Sequence, residues 1–109
     1  MINYKYDEDI MLDQIRRYID STYTQHYSGK YQATDMIIDA GHGTGFCIGN
    51  IMKYAKRYGK KDGYNRKDLM KIIHYAIIEM YNQNQLDQYL KETIAKIPEV
   101  SINKNDVLS

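Results

Sequence analysis

Apolar residues recur every three or four positions along most of this chain, and glycines divide the recurring segments. That spacing is typical of helices with one buried face, and no segment alternates strictly as a half-buried strand does. The length of 109 residues suits one domain with one core. The sequence therefore predicts an all-α protein, a compact bundle of four to five helices over residues 1–97, followed by a polar flexible tail over residues 98–109.

Glycines, caps and the single proline place the predicted helix ends. The predicted helices cover residues 7–24, 31–40, 46–58 and 66–82. The pattern resumes over residues 85–96, either as an extension or as a separate helix. Gly59 is expected just after the third helix, Asn65 is expected to cap the fourth, and Pro98 is expected to stop the pattern.

The charge balance limits the classes of partner. Fifteen basic and fourteen acidic residues give a net charge of +1, which argues against long-range attraction to duplex DNA or anionic membranes. Any anion site must therefore come from local clustering. Cys47 is the only cysteine, which excludes a disulfide framework and favours a reducing cytoplasm. We expect no signal peptide, no membrane span and no metal centre built on thiolates.

The third predicted helix has two different faces when its residues are placed about 100° apart. The set expected to face the core is Ile48, Ile51, Met52, Ala55 and Tyr58. The opposite strip holds Asn50, Lys53, Tyr54, Arg57, Lys60 and Lys61. Solvated helix faces usually mix charge signs, but the four cations of this strip have no acid among them. The strip is therefore a candidate phosphate site, and a solvated face is the alternative.

The fourth predicted helix and the glycine-rich turn extend this candidate site. The inward set of the fourth helix is Leu69, Ile72, Ile73, Ala76 and Met80. Its opposite side carries Lys67, Lys71 and His74. Three glycines over residues 41–45 precede the third helix, whose backbone N–H groups could receive phosphate oxygens. This turn lacks the Walker pattern, the G-x-G-x-x-G fingerprint and a preceding strand, so it is weak evidence alone.

The chain resembles a small bacteriophage protein family over about residues 26–81. The matching residues are His26-Tyr27, Tyr31-Gln32, Gly49-Asn50-Ile51-Met52-Lys53-Tyr54, Arg57, Lys60, Asp68-Leu69, Lys71 and Tyr75. Members of that family are described as phage nucleotide kinases or carry no assigned function. The resemblance implies a helical nucleotide-binding protein without a Walker motif, a homo-oligomer located in the cytoplasm of an infected bacterial cell.

The same resemblance implies a polar cluster for nucleotide binding. Its members are His26, Tyr27, Asn50, Lys53, Tyr54, Arg57, Lys60 and Lys71. In this hypothesis the lysines and the arginine hold phosphates, Asn50 and His26 orient the ligand, and Tyr27 and Tyr54 contact base or sugar. As an enzyme the protein would be a nucleoside monophosphate kinase that uses ATP and Mg²⁺. Asp35, Asp39 and Asp68 are the few carboxylates that could hold such a metal, and no catalytic base is evident.

Three other functions remain open. A non-catalytic protein that sequesters cyclic nucleotide immune signals would need only cations and tyrosine faces. A DNA-binding regulator would need a helix-turn-helix between the third and fourth helices, but that connection looks longer than the usual three or four residues. A structural or interaction protein would be indifferent to charge reversal at Lys53 and Arg57.

Overall fold

Four helices make up the secondary structure of the described residues. The computed structural model describes residues 1–26 and 30–98, apart from the side chains of residues 25, 26 and 30–32. The helices are α1 (Glu8–His26), α2 (Lys30–Asp39), α3 (Gly43–Arg57) and α4 (Arg66–Ala95), and no strand occurs in this part of the chain. The all-α class with four helices is therefore confirmed. Apart from Pro98, the tail predicted over residues 98–109 lies outside the described residues.

The predicted signals at the end of α3 and the start of α4 are confirmed. Gly59 follows α3 with a φ of 84°, a left-handed conformation that glycine adopts at little cost. The side chain of Asn65 accepts a hydrogen bond of 2.9 Å from the backbone N–H of Lys67, which satisfies one donor at the start of α4. The pattern over residues 85–96 is an extension, because α4 continues without a break to Ala95.

The helix α3 begins three residues earlier than predicted. Gly41, with a φ of 88°, makes the turn after α2, whereas Gly43 and Gly45 already belong to the first turn of α3. The glycine-rich segment is therefore mostly helical. Its glycines have two roles. Gly41 allows the turn after α2, and Gly43 allows α3 to pack closely against α4, where it is buried.

The helices α3 and α4 form an antiparallel hairpin that holds the core. Gly43 meets Asn82 at one end of the hairpin, and Arg57 meets Asp68 at the other. Buried residues of α4 lie seven positions apart, which keeps them on one stripe facing α3. They are Asp68, Tyr75 and Asn82. The buried residues of α3 are Gly43, Cys47 and Tyr54.

The predicted inward faces of α3 and α4 are right for Ile51 and Ile72, which pack against the core, and wrong for several other residues. Met52 is 65% exposed and Met80 is 66% exposed, and Ile48, Leu69 and Ile73 are exposed as well. Each helix is rotated so that polar, small and aromatic residues face its neighbour. The physical reason is that a close helix approach at a glycine, an ion pair and an aromatic stack outweigh the apolar side chains as determinants of this interface.

The start of α3 is fixed to α4 by a cluster of hydrogen bonds around Glu79. Its carboxylate accepts from the Thr44 hydroxyl at 2.9 Å, the Gln83 amide at 2.9 Å and the Asn82 amide at 3.2 Å. Burial by itself would raise the pKa of Glu79, but these three donors together lower that pKa below its ordinary value. Burial, followed by the nearby charge of Glu79, raises the pKa of the Cys47 thiol, so this cysteine is a protonated packing residue.

Replacing Gly43 by alanine should destabilise the protein by about 1–3 kcal/mol, because the added methyl group overpacks the hairpin. The new Cβ would lie 2.9 Å from the Asn82 amide nitrogen, which is buried and hydrogen-bonded. Urea unfolding followed by circular dichroism measures the change. Gly49→Ala is the matched control, because no atom lies within 4 Å of its added Cβ and alanine favours a helix by about 1 kcal/mol. Equal effects of the two substitutions would contradict the close approach.

Protonation of Glu79 should weaken the hairpin. Its pKa is lower in the folded than in the unfolded chain, so its stabilising contribution is present above the ordinary value of 4.5 and is lost as pH falls through the folded pKa. The free energy of unfolding of the wild type should therefore exceed that of Glu79→Gln near neutral pH, and the difference should shrink below pH 4.5. A difference that is constant across this pH range would show that the carboxylate charge is not involved.

Candidate anion site

Two tyrosines from the hairpin form the floor of the candidate site. The rings of Tyr54 on α3 and Tyr75 on α4 stack with their centroids 6.2 Å apart and their planes 14° from parallel. Phe46 meets the Tyr75 ring edge-on, with centroids 5.7 Å apart. Tyr54 and Tyr75 are each only 7% exposed. The stack is therefore a rigid part of the core that reaches the surface at one edge.

Two lysines from different helices converge on the Tyr54 ring. The ammonium nitrogen of Lys53 lies 4.6 Å from the ring centroid, and that of Lys71 lies 4.9 Å from the same centroid. Both distances suit a cation–π interaction. The two nitrogens can be at most 9.5 Å apart, because both lie against one ring. The hairpin thus brings together two of the cations that the sequence predicted to act together.

The electrostatic arrangement at Tyr54 favours an added anion. Two positive charges within this distance repel each other, although water screens the exposed Lys53. None of the described acidic residues makes a salt bridge to Lys53 or Lys71. An anion placed between the ammonium groups would neutralise them and relieve the repulsion. The chemistry that this pair best supports is therefore the binding of a phosphate or another compact anion.

Arg57 has a different role from the two lysines. Its Nε lies 3.5 Å from a carboxylate oxygen of Asp68, and its Nη2 lies 3.6 Å from an oxygen of Asp62. Asp68 is only 1% exposed, so its charge requires a cation close by. The charge of Arg57 is thus largely engaged inside the protein. The phosphate contact predicted for Arg57 has to compete with this pair.

Of the other predicted site residues, the structure describes the side chains of Asn50 and Lys60. The amide of Asn50 donates a hydrogen bond of 2.8 Å to the carbonyl oxygen of Phe46 in its own helix. Lys60 is exposed in the connection after α3, where its backbone N–H bonds to Arg57. His26 ends α1, but its side chain, like the whole of Tyr27, lies outside the described residues. Their ligand roles stay predictions.

Cavities beside Lys71 extend the site toward α1 and α2. A cavity of about 20 Å³ lies between Lys71 and the neighbouring residues Thr22, Thr34 and His74. Thr34 and His74 also line a second cavity of about 400 Å³. The remaining lining residues of that larger cavity are Ile19, Tyr23, Asp35, Ile77, Ile78 and Tyr81. A cavity of this size falls in the usual range for small-molecule sites, about 300–1,000 Å³.

The start of α3 does not favour phosphate, contrary to the expectation from the glycine-rich turn. The carboxylate of Glu79 already lies beside this helix end, bonded to the hydroxyl of Thr44. An acid is the group that the positive end of a helix dipole favours. An incoming phosphate would meet the negative charge of Glu79 there, so the lysines at Tyr54 are the better candidate for an anion site.

Sequence reasoning did not predict the structural roles of three residues: Asp68, which pairs with Arg57, and Thr34 and Asp35, which line the larger cavity. Asp68 was considered only as a metal ligand, although its spacing from Arg57 across a hairpin turn could have suggested an ion pair. Thr34 and Asp35 carried no signal for the cavity, because the packing of α2 cannot be derived from its short pattern. In the described part of the chain, no three potential metal-binding side chains gather at one point.

The geometry shows a small all-α protein in which two lysines converge on the Tyr54 ring, a candidate anion site. The sequence profile of the family described as "Protein of unknown function (DUF3310)" matches residues 21–77, which is more than half of the chain. The chain therefore belongs to this family. The matched residues include α2, α3 and the first part of α4, and thus Lys53, Tyr54 and Lys71.

No curated protein matches the chain, and no solved structure matches it. None of the helices in the described ranges combines the length and the apolar character that crossing a membrane requires.

The substitution Arg57→Gln should lower the free energy of unfolding by about 2 kcal/mol, less than for a fully buried pair because Arg57 is partly exposed. The cause is the uncompensated charge left on Asp68. Adding Asp68→Asn should recover part of the loss, since the buried charge is then gone. Lys56→Gln on the exposed side of α3 is the control and should change stability little. An Arg57→Gln protein as stable as the control would show that Arg57 is available for a ligand.

Proposed function

We propose that this protein binds nucleotides and that Lys53 and Lys71 hold the phosphate groups. The observation that carries the proposal is the convergence of the two ammonium groups on the Tyr54 ring, at 4.6 and 4.9 Å from its centroid. Lysine binds phosphate as a point charge, so two lysines on opposite helices can hold one phosphate or a short phosphate chain. The ring of Tyr54 positions the lysines, since it is nearly covered by its neighbours.

The larger cavity between α1, α2 and α4 is the place for the base and sugar. Tyr23 and Tyr81 offer ring surface in this cavity, and Asp35 offers a carboxylate that can accept hydrogen bonds from a base. The negative charge of Asp35 also orients the ligand, because a phosphate is repelled there and attracted at Lys71. His74 and Thr34 line both cavities and thus lie between the two halves of the ligand.

The reaction that we propose for this site is phosphoryl transfer between nucleotides. The resemblance to phage nucleotide kinases supports it, and it would act in the cytoplasm of an infected bacterial cell. The terminal phosphoryl group of ATP would pass to a phosphate oxygen of a nucleoside monophosphate, which yields a nucleoside diphosphate and ADP. Such transfer depends mostly on positioning and charge neutralisation, with Mg²⁺ bound to the ATP phosphates. Lys53 and Lys71 supply the neutralising charge on the protein side.

Binding without turnover is the second candidate function. The paired lysines and the aromatic cavity satisfy a binding role by themselves, and a protein that sequesters cyclic nucleotides needs no more than these. A DNA-binding regulator is less well supported, because the connection between α3 and α4 covers residues 58–65 and exceeds the usual three or four residues.

Removing either lysine charge should weaken nucleotide binding by about tenfold, the loss of one charge-assisted contact. The variants are Lys53→Gln and Lys71→Gln, titrated calorimetrically with a nucleoside monophosphate, ADP and a cyclic dinucleotide. Lys56→Gln and Lys67→Gln are matched controls, since these exposed lysines lie on the same two helices without an interaction at Tyr54. Equal affinities of all four variants would contradict the paired-lysine site.

Catalysis is tested separately with the wild-type protein, ATP, Mg²⁺ and each nucleoside monophosphate. Formation of the diphosphate, reduced in both Lys53→Gln and Lys71→Gln, would establish the kinase reaction. Tight binding of a cyclic nucleotide recovered unchanged, with no diphosphate formed, would support sequestration instead.

A further inference from the structure

Positive charge is concentrated at the end of the hairpin where α3 connects to α4. Residues 53–71 hold eight basic and two acidic residues, whereas the rest of the chain holds seven basic and twelve acidic residues. Both acids of this segment, Asp62 and Asp68, pair with the same cation, Arg57. The other seven cations make no salt bridge with any acid of the described residues. A chain with a net charge of only +1 therefore has one strongly positive end, which suits a polyanionic partner.

The connection at this end, residues 58–65, is held in one conformation by its own backbone, and we call it the tip loop. The N–H of Gly59 donates a hydrogen bond of 2.9 Å to the carbonyl oxygen of Gly63. The N–H groups of Lys60 and Lys61 donate back to the last residue of α3, at 3.0 and 3.2 Å. The side chains of both lysines are exposed. Two positive charges therefore lie at the surface of an ordered turn.

Tyr64 presents an aromatic ring beside these lysines. It is 80% exposed, yet its ring meets the ring of Tyr58 at 65°, with the centroids 5.4 Å apart. The same ring lies so close to Gly59 that a Cβ added there would be 2.8 Å from its Cε1 atom. The ring is thus exposed but held in place by its neighbours. Such a ring can stack on a base without the entropy cost of ordering a free side chain.

This combination fits a single-stranded nucleic acid better than other polyanions. Proteins bind single strands by contacting phosphates with cations and by stacking unpaired bases on aromatic rings. In a duplex the bases already stack on one another, so the ring of Tyr64 would find no base. Amphipathic segments bind anionic membranes by inserting large apolar side chains beside their cations, but residues 58–65 contain no Ile, Leu, Met, Phe, Val or Trp.

We infer that the tip loop binds single-stranded nucleic acid, with Lys60 and Lys61 on phosphates and Tyr64 stacked on a base. The surrounding cations of residues 53–71 attract the strand to this end of the molecule. The tip loop is a different surface from the lysine pair at Tyr54. The inference therefore does not depend on nucleotide binding or on phosphoryl transfer.

The first test measures the phosphate contacts through their salt dependence. The full-length protein is titrated into a fluorescent oligothymidylate of about 12 nucleotides, within the usual range of single-strand site sizes, at several salt concentrations. Replacing Lys60 and Lys61 together by glutamine should make the slope of log K against log salt less steep by about 1.4, because each phosphate contact contributes about 0.7 for single strands. Lys91→Gln is the matched control, since this exposed lysine lies on α4 outside the positive segment.

The second test measures stacking with variants that keep the charge. Tyr64→Ala should weaken binding by about tenfold and leave the salt slope unchanged, whereas Tyr64→Phe, which keeps the ring, should bind like the wild type. Tyr89→Ala is the control, because Tyr89 is a 65% exposed tyrosine on α4 outside the positive segment. Circular dichroism shows that each variant is folded.

Competitors identify the partner and the surface. Oligouridylate is compared with oligothymidylate to show which sugar is preferred, and binding of either strand supports the inference. An excess of nucleoside monophosphate should leave the strand bound, whereas displacement would place it at Lys53 and Lys71 and overturn the inference. It would also be overturned by an absence of binding to either strand, by equal or tighter binding of a duplex, or by a salt slope that the Lys60 and Lys61 substitutions do not change. Tighter binding to vesicles of phosphatidylserine than to either strand would assign the tip loop to a membrane surface instead.

Discussion

The stack of Tyr54 on Tyr75 is the contact on which both the hairpin and the site depend. It joins the last turn of α3 to the first half of α4, and both rings are buried. Aromatic pairs of this kind add about 0.5–1.5 kcal/mol beyond the free energy of burying their area. Because few apolar side chains are buried among the described residues, this contribution matters. The same stack fixes the ring on which Lys53 and Lys71 converge, so the fold and the charge arrangement share one origin.

The two ends of the hairpin are fastened by polar interactions. Glu79 gathers hydrogen bonds from Thr44, Asn82 and Gln83 at one end, and Asp68 pairs with Arg57 at the other. Polar contacts of this kind add specificity, because they are satisfied in only one alignment of the two helices. The pair with Asp68 also neutralises Arg57, a cation that could otherwise bind the same ligand. The lysines at Tyr54 make no such pair and remain available to an anion.

The sequence predicted where the helices begin and end better than it predicted which of their faces are buried. Local chemistry at Gly59 and Asn65 determines where helices end, and these predictions are confirmed. The face of α3 depends on what α4 presents, and a periodicity of apolar residues carries no information on that. Met52 was therefore predicted inward and is exposed, whereas Tyr54 was assigned to the outer strip and is buried. A joint role of Lys53 and Lys71 was predicted, but their convergence on the Tyr54 ring was not, and the cavity between α1, α2 and α4 was not predicted at all.

The most direct test of the central claim is lysine footprinting. The folded protein is acetylated briefly with and without a saturating nucleoside phosphate, and the modification of each lysine is measured by mass spectrometry. The account predicts that the ligand protects Lys53 and Lys71, whereas Lys56 and Lys67 are modified at the same rate in both samples. Uniform protection of all four lysines, or a ligand that binds without protecting Lys53 and Lys71, would contradict it.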